Sequence, residues 1–181
     1  RFDAPDFGID ADAPLDQCVA DPTPGRPARF WVDLARGTAG WEPIDDLGGD
    51  FNRINDTRNG VRVRWLYLSA FLQRDRRMGD FDTIVKYDER TGVRTEWFAG
   101  TSAHVGESAF APDPLGRSED DGWLVNAVYD DARDATEVVV LDARDVAHGP
   151  VARVQLPRRI PFGFHANWFP RGDASLSEGG A

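Results

Sequence analysis

The sequence predicts an all-β fold amounting to about three blades of a β-propeller, and three observations carry that expectation. Short runs rich in β-branched and aromatic residues recur along the chain, clusters of Asp, Gly, Asn and Arg separate them, and no window sustains a helical apolar period over three turns. A pattern of apolar residue, Asp, three residues and Gly also repeats, at Asp33–Gly37 and Asp88–Gly92, with a third Asp142 whose glycine is displaced to Gly149. The steps from Asp33 to Asp88 and from Asp88 to Asp142 are nearly equal, and their length suits a blade of four short strands.

In order, residues 1–27 hold many Asp, Pro and Gly and read as an irregular incoming segment. Residues 28–170 carry the blades. The strand-like runs are ARFWVDL (28–34), VRVRWLYLSAF (61–71), DTIVKYDE (82–89), VRTEWFA (93–99), GWLVNAVYD (122–130), TEVVVLDA (136–143) and PVARVQLP (150–157). Residues 143–148 fit one short helical turn, and residues 171–181 form a polar tail. Each repeated Asp is expected to open the turn between two outer strands, its carboxylate accepting from the next backbone N–H groups.

Composition sets limits on function. The 181 residues, 41% hydrophobic and 29% charged, suffice for one domain with a core. A net charge of −10 opposes phosphate backbones, so nucleic acid is not an expected partner. A single cysteine, Cys18, excludes an internal disulfide framework and any multi-cysteine metal site, and suits a reducing, cytoplasmic setting. No stretch approaches the roughly 20 apolar residues of a membrane-spanning helix. Absence of an initiating Met suggests that residue 1 is not a natural start.

A second series shares the period. Asp50 in DFNRI, Glu107 in ESAFAP and His165 in HANWFP recur at almost the same interval, each opening a segment expected to be an innermost strand. Two readings stand side by side: the three converge on the propeller axis, or they are unrelated turn residues. His165, within the apolar run RRIPFGFHANWFP (158–170), is likewise either a satisfied core histidine or a metal ligand whose second ring nitrogen meets a carboxylate. His104 and His148 read as solvated loop histidines. The basic stretch QRDRRMGD (73–80) reads as a solvated loop, and the RGD tripeptide at 171–173 as a coincidence in a polar tail.

GESAFAPDPLGRSEDDGWLVNAVYD (106–130) and EVVVLDARDVAHGPVARVQLPRRIPFGFHANWFP (137–170) resemble the carboxy-terminal region of the carotenoid cleavage oxygenases, a group that includes apocarotenoid oxygenases and lignostilbene dioxygenases. DFNRINDTRNGVRVRWLYLSAF (50–71) and FDTIVKYDERTGVRTEWFAG (81–100) are similar to the preceding blade of that family in the same order.

The resemblance implies a seven-bladed propeller holding Fe(2+) on four histidines, with glutamates hydrogen-bonded behind them. It assigns His165 as the last iron ligand and Glu107 as a supporting glutamate, with Ser108 where proline is usual. Asp50 falls where another supporting glutamate is expected, in a Glu-Phe-Pro-Arg-like motif that this chain departs from at Asp50 and Asn52. Phe162, Phe164, Trp168 and Phe169 are candidates for an apolar substrate tunnel or for ordinary packing between blades.

The implied activity is cleavage of a C=C bond of a carotenoid, apocarotenoid or stilbene with O2, to give carbonyl products. The chain itself is expected to be the carboxy-terminal portion of such a dioxygenase, because three of the four ligand histidines have no counterpart here. Any peripheral membrane contact falls to regions outside it. The competing expectation is an inactive propeller fragment that binds an apolar ligand or a protein partner.

Overall fold

The computed structural model describes residues 25–72, 80–161 and 163–171, and its secondary structure is almost entirely antiparallel β. Strands β1 (Ala28–Asp33) and β2 (Thr38–Pro43) form a hairpin. Strands β3 (Gly49–Arg53), β4 (Trp65–Ala70), β5 (Thr83–Asp88) and β6 (Val93–Phe98) form a four-stranded meander in chain order. In the last sheet β9 (Gly122–Asp130) pairs with β10 (Ala135–Asp142), which pairs with β11 (Pro150–Gln155). Its inner edge is split between β7 (Ala103–Val105) and β8 (Ala109–Pro112), both paired to β9. The described residues thus hold two sheets of the blade kind and one outer hairpin, where the repeat led to an expectation of about three blades.

The repeated aspartates do open the outer turns. Asp33 Oδ1 accepts from the N–H groups of Ala35 and Arg36, Asp88 Oδ1 from Arg90 and Asp142 Oδ1 from Arg144. Gly37, Gly92 and Gly149 all take positive φ, at 63°, 72° and 83°, which residues with a Cβ rarely adopt.

The core lies between the two large sheets. Tyr67 and Ile84 from the first meet Phe110, Leu124, Val139 and Leu141 from the second, all of them buried. Tyr67 stacks at 5.7 Å on Phe110, and its hydroxyl donates to Ala143 O at 3.0 Å, so a polar group is carried into the core with its partner.

Three expectations need correction. The run at 61–71 becomes a strand only from Trp65, because the Glu119 carboxylate takes the N–H groups of Arg64 and Trp65, each at 2.8 Å. His104 is not in a solvated loop but on β7 opposite Tyr129, its side chain only 15% exposed. Its Nε2 lies 2.7 Å from Asp131 and its Nδ1 3.4 Å from Asp80, so two carboxylates satisfy it. The segment around His165 is irregular rather than a strand: it has no backbone ladder among the described residues. His148 is exposed at the end of the 3-10 turn Val146–His148, as expected. Residues 1–24, 73–79 and 172–181 lie outside the described residues, so the incoming segment, Cys18, most of the basic loop, the RGD tripeptide past Arg171 and most of the tail do as well.

Candidate metal centre

Both inner edges are interrupted where the candidate residues sit. Between β7 and β8 the regular ladder breaks over Gly106, Glu107 and Ser108, with only the Gly106 N–H still donating to Ala127 O of β9, at 3.1 Å. Buried Asn126, in the middle of β9, fills the gap: it accepts from Gly106 N–H at 3.0 Å and donates to Gly106 O and Ser108 Oγ at 2.7 and 3.0 Å. Ser69 Oγ donates to the same Gly106 carbonyl at 2.7 Å. A lone Asn in the apolar alternation GWLVNAVYD was the available signal for this brace.

The loop so held presents Glu107, whose side chain is 8% exposed. Its Oε1 accepts from Arg53 Nη2 at 2.9 Å. Its Oε2 accepts from Ala166 N–H at 2.5 Å and lies 3.4 Å from His165 Nδ1. That approach is longer than a charge-assisted hydrogen bond, but it leaves the carboxylate facing one ring nitrogen, so Nε2 is the nitrogen left to bind a metal. The His165 side chain itself is 79% exposed.

The structure thus brings together two of the three candidates. Asp50 lies exposed on β3, its Oδ1 accepting from the N–H of Phe51 at 2.7 Å, and no hydrogen bond or ion pair joins it to His165 among the described residues. The next residue makes the contact instead: the Phe51 ring stands edge-on to His165 at 6.3 Å and to Phe164 at 6.4 Å. Trp168 lines a cavity of about 340 Å³ between the carboxy-terminal segment and β9–β10, along with His165, Glu107, Asn126 and Val138. Phe164 and Phe169 are exposed, and Phe162 lies outside the described residues.

Among the described residues no group of three or more His, Cys, Asp or Glu is placed to hold a metal ion. The donor set is one imidazole with its orienting carboxylate. That fits one ligand of a metal centre and does not complete a coordination shell.

A family profile described as RPE65, retinal pigment epithelial membrane protein, matches residues 3–170. The chain belongs to the RPE65/carotenoid oxygenase family. It is 34% identical over 151 residues to a carotenoid cleavage oxygenase of Mycobacterium tuberculosis, with 78% of this chain and 28% of that protein covered. Similarity extends to the apocarotenoid-15,15'-oxygenase of Synechocystis, 29% identical over 145 residues, covering 80% of this chain and 29% of the relative. For a lignostilbene-alpha,beta-dioxygenase isozyme of Sphingomonas paucimobilis the values are 29% over 161 residues, 82% and 33%.

Among solved structures, a mutant of Synechocystis ACO superposes with a TM-score of 0.77 at 27% identity, covering 89% of this chain and 34% of that one. A cobalt-substituted form of the same oxygenase gives 0.74, also at 27% identity, covering 87% and 33%. The neighbours are propeller oxygenases, and the chain spans about a third or less of the length of each relative named above.

Proposed function

We propose that residues 28–170 are the part of a non-haem Fe(2+) dioxygenase that supplies its last histidine ligand, His165, with Glu107 behind it, the other donors coming from polypeptide outside the described residues. The assembled enzyme cleaves a C=C bond of a carotenoid, apocarotenoid or stilbene with O2, to give two carbonyl products. Membership of the RPE65/carotenoid oxygenase family supports the class of reaction. The observation that carries the site is the 3.4 Å approach of a nearly buried carboxylate to an exposed imidazole, in a chain where few histidines exist to be chosen.

Bound iron supplies the means of activating O2 beside the double bond. This chain's residues hold and orient. Glu107 faces Nδ1 and so directs Nε2 outward, while Asn126 and Ser69 fix the loop that carries Glu107. Phe51 and Phe164 form an apolar wall beside the imidazole, fit to exclude water and to lie against a polyene or stilbene. Trp168 extends that apolar character into the neighbouring cavity.

A second reading, an inactive propeller portion that binds an apolar ligand or a protein partner, is favoured by the single imidazole of the donor set. One experiment separates the two. Residues 28–170 are exchanged for the matching third of the Synechocystis apocarotenoid oxygenase, and iron content and apocarotenoid cleavage are measured. Retained iron that is lost on His165→Ala supports the ligand reading. Iron content unchanged by His165→Ala overturns it.

A further inference from the structure

We propose that Arg53 is the positioning residue of the His165–Glu107 pair, and that an irregularity in β3 exists to aim it there. Resting on the reading of His165 as a ligand, the inference adds a residue outside the imidazole and carboxylate set.

The guanidinium makes five polar contacts across three segments. Nη2 donates to Glu107 Oε1 at 2.9 Å and to Ala166 O at 2.6 Å, and Nε donates to Ser108 O at 3.1 Å. Nη1 reaches Asp56 Oδ2 at 3.4 Å and Asn167 Oδ1 at 3.5 Å. Two of the acceptors, Glu107 and the Ala166 carbonyl, flank His165 directly. Only a planar fork of donors satisfies this many acceptors from one position, and the side chain does so while 12% exposed.

Nothing in a regular strand would put it there. Asp50 is paired with Ser69 and Arg53 with Tyr67, so three steps along β3 match two along β4. The extra residue is a β-bulge, and within it Phe51 takes φ of 59°, a strained conformation for an aromatic residue. In an unbroken ladder Asn52 would stand opposite Tyr67 and Arg53 would point to the other face of the sheet. The bulge therefore does two things at once: it turns Arg53 toward residues 107–108 and 166–167, and it lifts the Phe51 ring against His165. Since a carboxylate only accepts, a Glu107 held by Arg53 and facing the ring at 3.4 Å favours the proton of His165 on Nδ1, which leaves Nε2 as the free donor atom.

The test needs no metal. The 181-residue chain, with its 3 histidines isotopically labelled, is studied by NMR at about pH 8.5, where a free imidazole is neutral. Long-range proton–nitrogen correlations report which ring nitrogen of His165 is protonated, and amide exchange reports the Ala166 N–H. The expected wild-type result is an Nδ1–H ring. Arg53→Met should give mixed tautomers and Ala166 exchange faster by roughly ten- to a hundredfold, the loss of a charge-assisted hydrogen bond. His104, held by Asp131, should be unchanged and so certify the fold. Deleting Asn52 should reproduce the Arg53→Met result with the guanidinium still present.

Arg53→Lys, which returns a cation without the fork, should keep the tautomer while Ala166 still exchanges faster than in the wild type. An unchanged His165 ring and Ala166 amide in a folded Arg53→Met chain overturn the proposal. If that variant does not fold, an unchanged Ala166 amide in Arg53→Lys overturns it. Because neither readout involves iron, this result stands or falls separately from the loss of iron expected of His165→Ala.

Discussion

Glu107 and His165 lie a whole blade apart in sequence, yet Oε2 of the carboxylate lies 3.4 Å from Nδ1 of the ring, one side chain nearly buried and the other open. The asymmetry suits a ligand and its support: the carboxylate is fixed by the protein, and the imidazole projects away to meet something else. Glu107→Gln keeps the shape but removes the charge that Arg53 and His165 share. In the chimeric oxygenase described above it should weaken iron retention by about 10–100-fold, the usual loss when the group behind a metal-binding histidine is changed. Metal content measured against a competing chelator checks this, and a change below twofold would count against the pairing.

Phe110, buried on β8, should be the costliest single truncation among the residues that join the two large sheets. Phe110→Ala removes the ring that stacks on Tyr67 and leaves a cavity between sheets, a loss of about 3–5 kcal/mol. Tyr67→Phe keeps the packing and gives up only the hydrogen bond to Ala143 O, a loss of about 0.5–1.5 kcal/mol. Urea unfolding of the chain and both variants checks the ranking; equal losses would mean that the stack contributes little.

The sheets were legible because their outer strands are regular. β9, β10 and β11 follow apolar runs bounded by turn residues, and the Asp33, Asp88 and Asp142 turns recur because each carboxylate caps its own backbone. The inner edges were less legible. β7 is three residues long and β8 four, too short for alternation to declare them, and the bulge in β3 shifts the face of Arg53 by one position. The shared period located Glu107 and His165 but named Asp50 where Phe51 makes the contact, because a repeat locates a strand and not the twist of one residue within it. Arg53 lay within the DFNR stretch, but its reach to residues 107, 108 and 166 depends on long-range geometry that no local pattern encodes.

The three repeated turns should not respond alike. Asp88 is buried and also binds Arg64 through both carboxylate oxygens, at 2.9 and 2.7 Å. The hydrogen bonds from Arg64 come first in holding its carboxyl well below the usual carboxylate range. Asp33 bonds Arg36 and two N–H groups in its own exposed turn. Asp88→Ala should therefore lower Tm several times more than Asp33→Ala. A thermal melt of each variant checks this, and comparable shifts would show that the turn bonds alone matter.

Asp45 should give the fold part of its acid sensitivity. Burial alone would raise its carboxyl, but the Tyr87 hydroxyl at 2.9 Å, Leu47 N–H at 3.1 Å and Arg94 guanidinium at 2.6 Å bring it down from 3.8 to about 2. With the folded value below the unfolded one, the unfolded chain binds more protons between the two, so stability rises with pH across that window. The contribution is complete above about pH 4 and is lost as pH falls toward 2. Asp45→Asn should be less stable than the wild type at neutral pH, and the gap should close as acid is added through this range. A gap that stays constant from neutral to acid pH would remove Asp45 from the account.

The β1–β2 hairpin should set the association behaviour of the chain. Phe30 and Trp41 face each other across it at 6.5 Å, and both are exposed, as are Val32 and Leu34. Arg29 ties the hairpin to the body of the fold through an ion pair with Glu89, its second ion pair, with Glu42, lying within the hairpin, and neither covers the apolar face. An apolar ribbon whose strand edges are unpaired among the described residues invites pairing with another chain. Self-association should therefore appear by analytical ultracentrifugation as concentration rises, and Phe30→Lys with Trp41→Lys should weaken it by tenfold or more, since each places a charge where apolar contact would form. If the double variant associates as the wild type does, the contact lies elsewhere, and the next candidate is another sheet edge, β11, where Val151 and Val154 are also exposed. Substituting those two residues in the same way distinguishes pairing through the hairpin from pairing through the last sheet, because either edge alone forms a dimer but only both together allow open-ended growth.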